Sequence, residues 1–226
     1  MTLWDDLIHI VFIKIIYKNK ILIINSYMNI YFPEKKGIDI SKLQISNVGK
    51  YSISKPDDAL LINKIIFKYL KKNKKFIITD ATANNGGNTI HFAFDSHHVN
   101  AIEIDTEQFN ILKHNINTYG LKNVTLYNDD YLNVMKTIRQ DVIFIDAPWG
   151  GPLYYKIKDL DLFLGKQNIV NVVKDLYDVK AFKLCVLKVP RNYNFTRLFN
   201  KILNIKFDIY SLPKFKIICI YTEDIL

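Results

Sequence analysis

The chain has only two cysteines among its 226 residues, Cys185 and Cys219, in separate apolar stretches with no CxxC or Cys/His spacing around either. That excludes a disulfide-built scaffold and a thiolate metal site, and it predicts two buried, reduced core residues. The five histidines are no better organised: His97 and His98 adjoin in a turn and His9, His91 and His114 are scattered, so no metal site is expected. Also missing is a charge-free apolar run of about 20 residues, the length that crosses a membrane as a helix. The most apolar segment, Leu7 to Ile24, is interrupted by Lys14, Lys18 and Lys20 and preceded by Asp5 and Asp6, the reverse of a signal peptide's order. The β-branched residues flanking Tyr17-Lys18-Asn19-Lys20 fit two strands joined by a polar turn, or an amphipathic helix. No repeat or low-complexity linker divides the chain, and its length suits one well-buried domain with a short appended segment. The expectation is a soluble, intracellular protein of nucleus or cytoplasm with no membrane partner, its oligomeric state open and a monomer favoured.

Charge is abundant and one-sided. The formal net charge is +9, with the basic residues mixed among aromatics, which suits a polyanionic partner such as RNA but also fits the Lys, Asn and Ile bias of A/T-rich genomes. Lys68, Lys71, Lys72, Lys74 and Lys75 crowd one helix end, where a solvated terminus complementing the dipole explains them better than an RNA patch.

From Lys55 onward, helical and strand patterns alternate, the signature of a parallel α/β sheet. Pro56 opens a helix with Asp57 and Asp58 at its positive end and apolar Leu60, Leu61, Ile65, Ile66 and Leu70 following. Strands are expected at Phe76 to Thr79, Val99 to Ile104, Val124 to Tyr127, Val142 to Ile145 and Leu184 to Val189. Helices are expected from Asn88, over Glu107 to Tyr119, near Tyr131 to Arg139, near Ile169 to Tyr177 and from Phe195. Two further strands, near Ile205 to Tyr210 and Lys216 to Tyr221, would close the sheet as an antiparallel hairpin. Residues 1–50 stand outside the alternation as an N-terminal extension, leaving 51–226 as the domain.

Strand ends carry the candidate site. After the first strand comes Asp80-Ala81-Thr82-Ala83-Asn84-Asn85-Gly86-Gly87-Asn88, small residues and glycines that let a backbone approach a ligand beside a helix amino terminus. The second strand ends in Glu103-Ile104-Asp105, where Glu103 can accept from both ribose hydroxyls of an adenosine cofactor, and the third in Asn128-Asp129-Asp130, where Asp130 can accept from an adenine amino group. Three acidic strand ends around one glycine turn point to a nucleoside cofactor beyond the carboxyl ends of parallel strands. The fourth strand delivers Asp146-Ala147-Pro148-Trp149-Gly150-Gly151-Pro152, a tight loop that sets a carboxylate and an indole beside the cofactor. Asp146, or a backbone carbonyl beside it, can hold the hydrogens of an exocyclic amine while Trp149 stacks on its base.

In that order and at similar spacing, Asp80-Ala81 with Gly86-Gly87-Asn88-Thr89-Ile90, Ala101-Ile102-Glu103-Ile104-Asp105, Tyr119-Gly120 and Pro148-Trp149-Gly150-Gly151-Pro152 resemble the trimethylguanosine synthase family. Tyr51-Ser52-Ile53-Ser54 upstream and Pro190-Arg191-Asn192 downstream are similar too, and the resemblance covers roughly residues 37–226. It implies a Rossmann-like class I S-adenosylmethionine-dependent methyltransferase with a mostly parallel seven-stranded sheet and an antiparallel last strand. It implies S-adenosyl-L-methionine as cofactor, 7-methylguanosine-capped RNA as partner, and methyl transfer to the guanine N2 amine. Carried over, Asp80, Thr82, Asn84, Gly86, Asn88, Glu103 and Asp130 would bind the cofactor, and Asp146, Pro148 and Trp149 would form the catalytic loop. Trp149, Arg191, Asn192 and Ser52 would meet the substrate, with Arg191 forking onto cap phosphates. The chain departs from the family at Asn84, usually Gly, and at Asp146-Ala147-Pro148-Trp149, usually Ser-Pro-Pro-Trp. These departures bear on cofactor affinity and product specificity. Two other readings remain: an N2-guanine or N6-adenine methyltransferase acting on internal RNA or DNA positions, and a catalytically silent RNA-binding subunit that keeps the fold.

Overall fold

A computed structural model describes residues 27–71, 75–151, 153–202 and 204–222. The expectation for Leu7 to Ile24 lies outside them, as do Lys72, Lys74 and Pro152.

Seven strands form one sheet: β1 (Ile77–Asp80), β2 (His98–Ile102), β3 (Val124–Tyr127), β4 (Val142–Ile145), β7 (Leu184–Pro190), β8 (Lys206–Ser211) and β9 (Phe215–Tyr221). A separate two-stranded hairpin, β5 (Phe163–Leu164) with β6 (Gln167–Asn168), lies between β4 and the next helix; the sequence pattern gives no sign of it. The sheet order is β3-β2-β1-β4-β7-β9-β8. β3, β2, β1, β4 and β7 run parallel, while β9 is antiparallel to both β7 and β8. The expected parallel sheet with an antiparallel closing hairpin is therefore present.

The helices cover both faces. They are α1 (Gly49–Ser52), α2 (Pro56–Lys68), α3 (Gly87–Asp95), α4 (Thr106–Thr118), α5 (Tyr131–Val134), α6 (Ile169–Asp178) and α7 (Thr196–Lys201). Because strand side chains alternate, Ile78, Val142, Phe144, Val186 and Cys219 pack on one face with Ile62, Ile66 and Phe92 of α2 and α3. Ile143, Ile145, Cys185, Leu187 and Ile220 pack on the other with Val172, Val173 and Leu176 of α6. Cys185 and Cys219 are both buried, on adjacent strands but opposite faces. Each fully buried Ile or Phe contributes about 1.5–3 kcal/mol, so these two layers hold the strand ends rigidly.

Three local expectations need correction. Pro56 does occupy the first turn of α2 with Asp57 and Asp58 beside it. Its buried stripe, however, is Ala59, Ile62, Ile65 and Ile66, and Leu60 and Leu61 stand 40% and 38% exposed on the outer flank. The helix expected at Tyr131 to Arg139 ends at Val134 and continues as turns, with the Thr137 N–H bonding to the Val134 carbonyl at 2.9 Å in a tighter, three-residue step. His98 opens β2 instead of lying in a turn, and its ring bonds to Thr125 of the neighbouring strand at 2.9 Å.

Residues 27–53 build a third apolar cluster. Met28, Phe32, Ile40, Leu43 and Ile53 pack against Ala83, Ile90, Leu112 and Ile116. A buried polar network fastens the same segment: Asn85 Oδ1 accepts the Ser46 N–H at 3.0 Å, its amide donates to Gln108 Oε1 at 2.7 Å, and Ser46 Oγ donates to the same oxygen at 2.6 Å. Every one of these groups has a partner, the condition under which a buried network rigidifies its surroundings.

Candidate active site

β1 pairs with β2 on one side and β4 on the other, so the chain's winding reverses between β1 and β4. The crevice beyond that switch point is where parallel α/β sheets bind ligands.

Asp80 ends β1 on its floor, 1% exposed. Its Oδ2 accepts the Thr89 hydroxyl at 2.7 Å, and its Oδ1 is buried without a partner. Burial pushes its carboxyl up to about 7, against the Thr89 hydroxyl and the Thr82 backbone N–H, with the negative charges of Asp146 and Glu103 adding to the rise.

The turn that follows is shaped by backbone conformation. Asn84 adopts a left-handed φ of 50°, and its side chain donates to Ser52 Oγ at 2.7 Å while accepting the Asn85 N–H at 2.7 Å. The residue that stands where the family has Gly thus takes the backbone geometry Gly would take and adds two bonds. Gly86 caps α3 at φ 100°. A Cβ on Gly87 would lie 2.6 Å from both Ser54 O and Ile53 Cγ1, so only Gly lets the helix start approach that segment. Asn88 donates to Ser54 Oγ at 2.9 Å and leaves its own Oδ1 buried and unpartnered.

Glu103 follows β2. Its two oxygens accept the backbone N–H groups of Asn84 (2.8 Å) and Asp105 (2.9 Å), while burial holds its carboxyl above the ordinary range. Asp105 caps α4 through the Gln108 N–H at 2.9 Å, and Asp130 caps α5 through the Leu132 N–H at 2.9 Å, leaving Asp130 Oδ2 free of that bond. Thr82 Oγ1 accepts the Asp146 N–H at 3.1 Å and so links the β1 turn to the β4 loop.

Beyond β4, Asp146 meets a residue that the sequence reading passed over. Lys188, in β7, places Nζ 2.6 Å from Asp146 Oδ2 and 2.9 Å from Ser54 Oγ. The two side chains are 8% and 14% exposed. Burial raises the Asp146 carboxyl, and the Lys188 charge and hydrogen bond oppose the rise. Trp149 is half-buried and packs against both sheet-face clusters. Its ring lies 5.0 Å from Tyr154, edge to face, and 5.5 Å from the Lys188 ammonium. Pro148 is exposed at the loop's tip.

The remaining candidates stand differently. Asn192 donates both amide hydrogens to the loop backbone, to Tyr154 O at 2.8 Å and Ile157 O at 2.6 Å. Arg191 is exposed and donates to Pro213 O at 3.3 Å, in the turn between β8 and β9. Ser52 joins the glycine turn through Asn84. Asp80, Thr82, Asn84, Gly86, Asn88, Glu103 and Ser52 are thus brought together at one turn, and Asp146 and Trp149 at the adjoining loop. Asp130, Arg191 and Asn192 make their contacts elsewhere on the rim. The signals that could have found Lys188 and Ser54 are a lone charge in an otherwise apolar central strand and a serine just before the Pro56 helix.

The donor set fits a nucleoside bearing an amino acid. Two buried orphan acceptors, Asp80 Oδ1 and Asn88 Oδ1, call for N–H donors such as an α-ammonium. Sheet order, switch-point crevice and acidic strand ends together define a class I S-adenosylmethionine-dependent methyltransferase. Within that class, the profile of the RNA cap guanine-N2 methyltransferase family matches residues 75–222, and the chain belongs to that family. It is 29% identical over 220 residues to Uncharacterized protein L320 of Acanthamoeba polyphaga mimivirus, covering 87% of this chain and 86% of that one. It is 32% identical over 123 residues to trimethylguanosine synthase of Schizosaccharomyces pombe, 49% of this chain and half the length of that relative. In fold it resembles a human methyltransferase 10 domain containing protein, with a TM-score of 0.63 at 11% identity over 89% of this chain and 96% of that one.

Proposed function

We propose that this protein methylates the N2 amine of the 7-methylguanosine cap of RNA, giving a di- or trimethylguanosine cap. The observation that carries the reading is the half-buried indole of Trp149 on the loop that also holds Asp146, at the carboxyl end of β4. A 7-methylguanine is cationic, and a cation over an indole face gains up to about 2 kcal/mol when desolvated.

When bound, S-adenosylmethionine supplies an electrophilic methyl group. Asp80 and Asn88 would hold its ammonium, Glu103 its ribose hydroxyls and Asp130 its adenine amino group, with Thr82, Asn84 and Gly86 shaping the wall. Asp146 accepts a hydrogen of the amine and turns the nitrogen lone pair toward the methyl carbon, so rate comes from in-line positioning. Pro148 and Trp149 bound the base, Ser52 and Arg191 line the path of the phosphates, and Asn192 holds the loop that carries Tyr154.

Purified protein with labelled cofactor should methylate 7-methylguanosine cap analogues in preference to unmethylated ones, with mass spectrometry counting the methyl groups. No labelling of the 7-methylated analogues would sink the reading. A second reading, methylation of an internal guanine N2 or adenine N6, draws on the engagement of Trp149 by both core clusters, Tyr154 and Lys188. Indifference to the 7-methyl group would favour it.

A further inference from the structure

Lys188 interrupts a strand whose other residues, Leu184 to Leu187, Val189 and Pro190, are all buried and apolar. Its ammonium donates to Asp146 and Ser54 and lies over the rings of Trp149 at 5.5 Å and Phe215 at 5.3 Å. Burying such a pair costs several kcal/mol per ion, and an apolar pair of similar volume would serve stability as well or better. The pair's value therefore lies in what it imposes on Asp146.

Oδ2 of Asp146 accepts from Lys188, which leaves Oδ1 as the oxygen that Lys188 does not hold. The charged groups around this carboxylate are Asp80 at the end of β1, with Glu103 beyond it, and Lys188 from β7. Without Lys188, burial beside Asp80 favours the protonated acid. A carboxylic acid presents an O–H donor and can no longer accept from an amine on both oxygens.

We propose that Lys188 is the positioning residue of the methyl-transfer site, holding Asp146 ionised and oriented so that its free oxygen takes the hydrogen of a neutral exocyclic amine. During transfer the nitrogen–carbon bond forms as the carbon–sulfur bond breaks, and the bonding pair leaves with sulfur. The surplus proton on nitrogen passes to Asp146 Oδ1 and from there to water. The inference rests on the proposed reaction only in requiring an exocyclic amine, so it applies to a cap or an internal base alike.

Carbon-13 carboxyl titration of the unliganded full chain tests it with no substrate. Asp146 in the unaltered protein should be ionised at pH 7, and in Lys188→Met it should remain protonated there. An Asp146 that is protonated at pH 7 in the unaltered protein overturns the proposal, even if the variant does not fold. With whichever amine proves to be the acceptor, Lys188→Met should lower kcat on the order of 10- to 100-fold at neutral pH with little change in KM. The acid limb of the rate profile should move to higher pH, so that raising the pH recovers rate. A loss of rate equal at every pH would mean a structural role and overturn the inference. Failure to methylate the cap would overturn the proposed function while leaving the titration result standing.

Discussion

Glu103 Oε2 accepts the backbone N–H of Asn84 at 2.8 Å, tying the end of β2 to the turn that leaves β1. Its other oxygen fixes Asp105, so one carboxylate sets the shape of two loops. Glu103→Gln must turn an NH2 group toward one of these backbone donors. The expected cost is about 1–2 kcal/mol of stability, read by denaturant unfolding, together with a tenfold or greater loss of cofactor affinity on the order of one lost charge-assisted bond, read by calorimetry. Unchanged unfolding and affinity would mean that the turn keeps its shape without the carboxylate.

Asn84 supplies the turn's left-handed residue. Asn84→Ala keeps the strain and loses the bonds to Ser52 and Asn85, so it should destabilise by about 1–3 kcal/mol. Asn84→Gly removes the strain and should lie well within that figure. If both variants unfold at the same denaturant concentration, backbone conformation is not what selects Asn84.

In the proposed site, Asp80 would make cofactor binding pH-dependent. Its folded carboxyl sits at about 7, against an unfolded value near 3.9. Because the folded value is the higher one, the stability linked to this group is fully present below about pH 4 and is lost as pH rises through about 7. An α-ammonium bound at the orphan Oδ1 favours the ionised form, so binding at pH 6 should release a proton and affinity should increase up to about pH 7. Calorimetry in two buffers of different ionisation heat reads that proton directly. Zero net exchange at pH 6 would refute the assignment.

In the proposed reaction, Trp149 and Arg191 would divide base from phosphate recognition. Trp149→Ala should abolish most cap binding and spare S-adenosylmethionine, and Trp149→Phe, which preserves more of the packing, should fall between; equal loss of cap and cofactor would make the indole structural. Arg191→Ala should weaken a capped oligonucleotide more than the 7-methylguanosine nucleoside and lower the salt slope by about 1. To reach phosphates, Arg191 must leave the Pro213 carbonyl, so a uniform loss across ligands would assign it to that turn.

What the sequence made legible is what local pattern carries. β3 and β4 fall on the residues expected, and Asp80, Glu103, Asp130 and Asp146 all stand at or just beyond strand ends, because alternation and turn chemistry are written in neighbouring residues. Lys188 was not legible: its partner is 42 positions away, and only the adjacency of β4 and β7 brings the two together. Asn192 illustrates the same limit. Its type and place suit substrate contact, yet both its amide hydrogens go to the loop that positions Tyr154 against Trp149. The hairpin of β5 and β6 is too short for periodicity to register.

The segment from Ser46 to Ser54 has a practical consequence for anyone shortening the protein. The family match starts at residue 75, but Ser54 holds Asn88 and Lys188, Ser46 is locked to Asn85 and Gln108, and Ile53 fills the notch beside Gly87. A recombinant chain cut to the matched region would carry every strand-end carboxylate and still uncover Ala83, Ile90, Leu112 and Ile116 to water. Such a fragment should aggregate on expression, so the smallest workable unit must reach back to Met28, well upstream of the matched region.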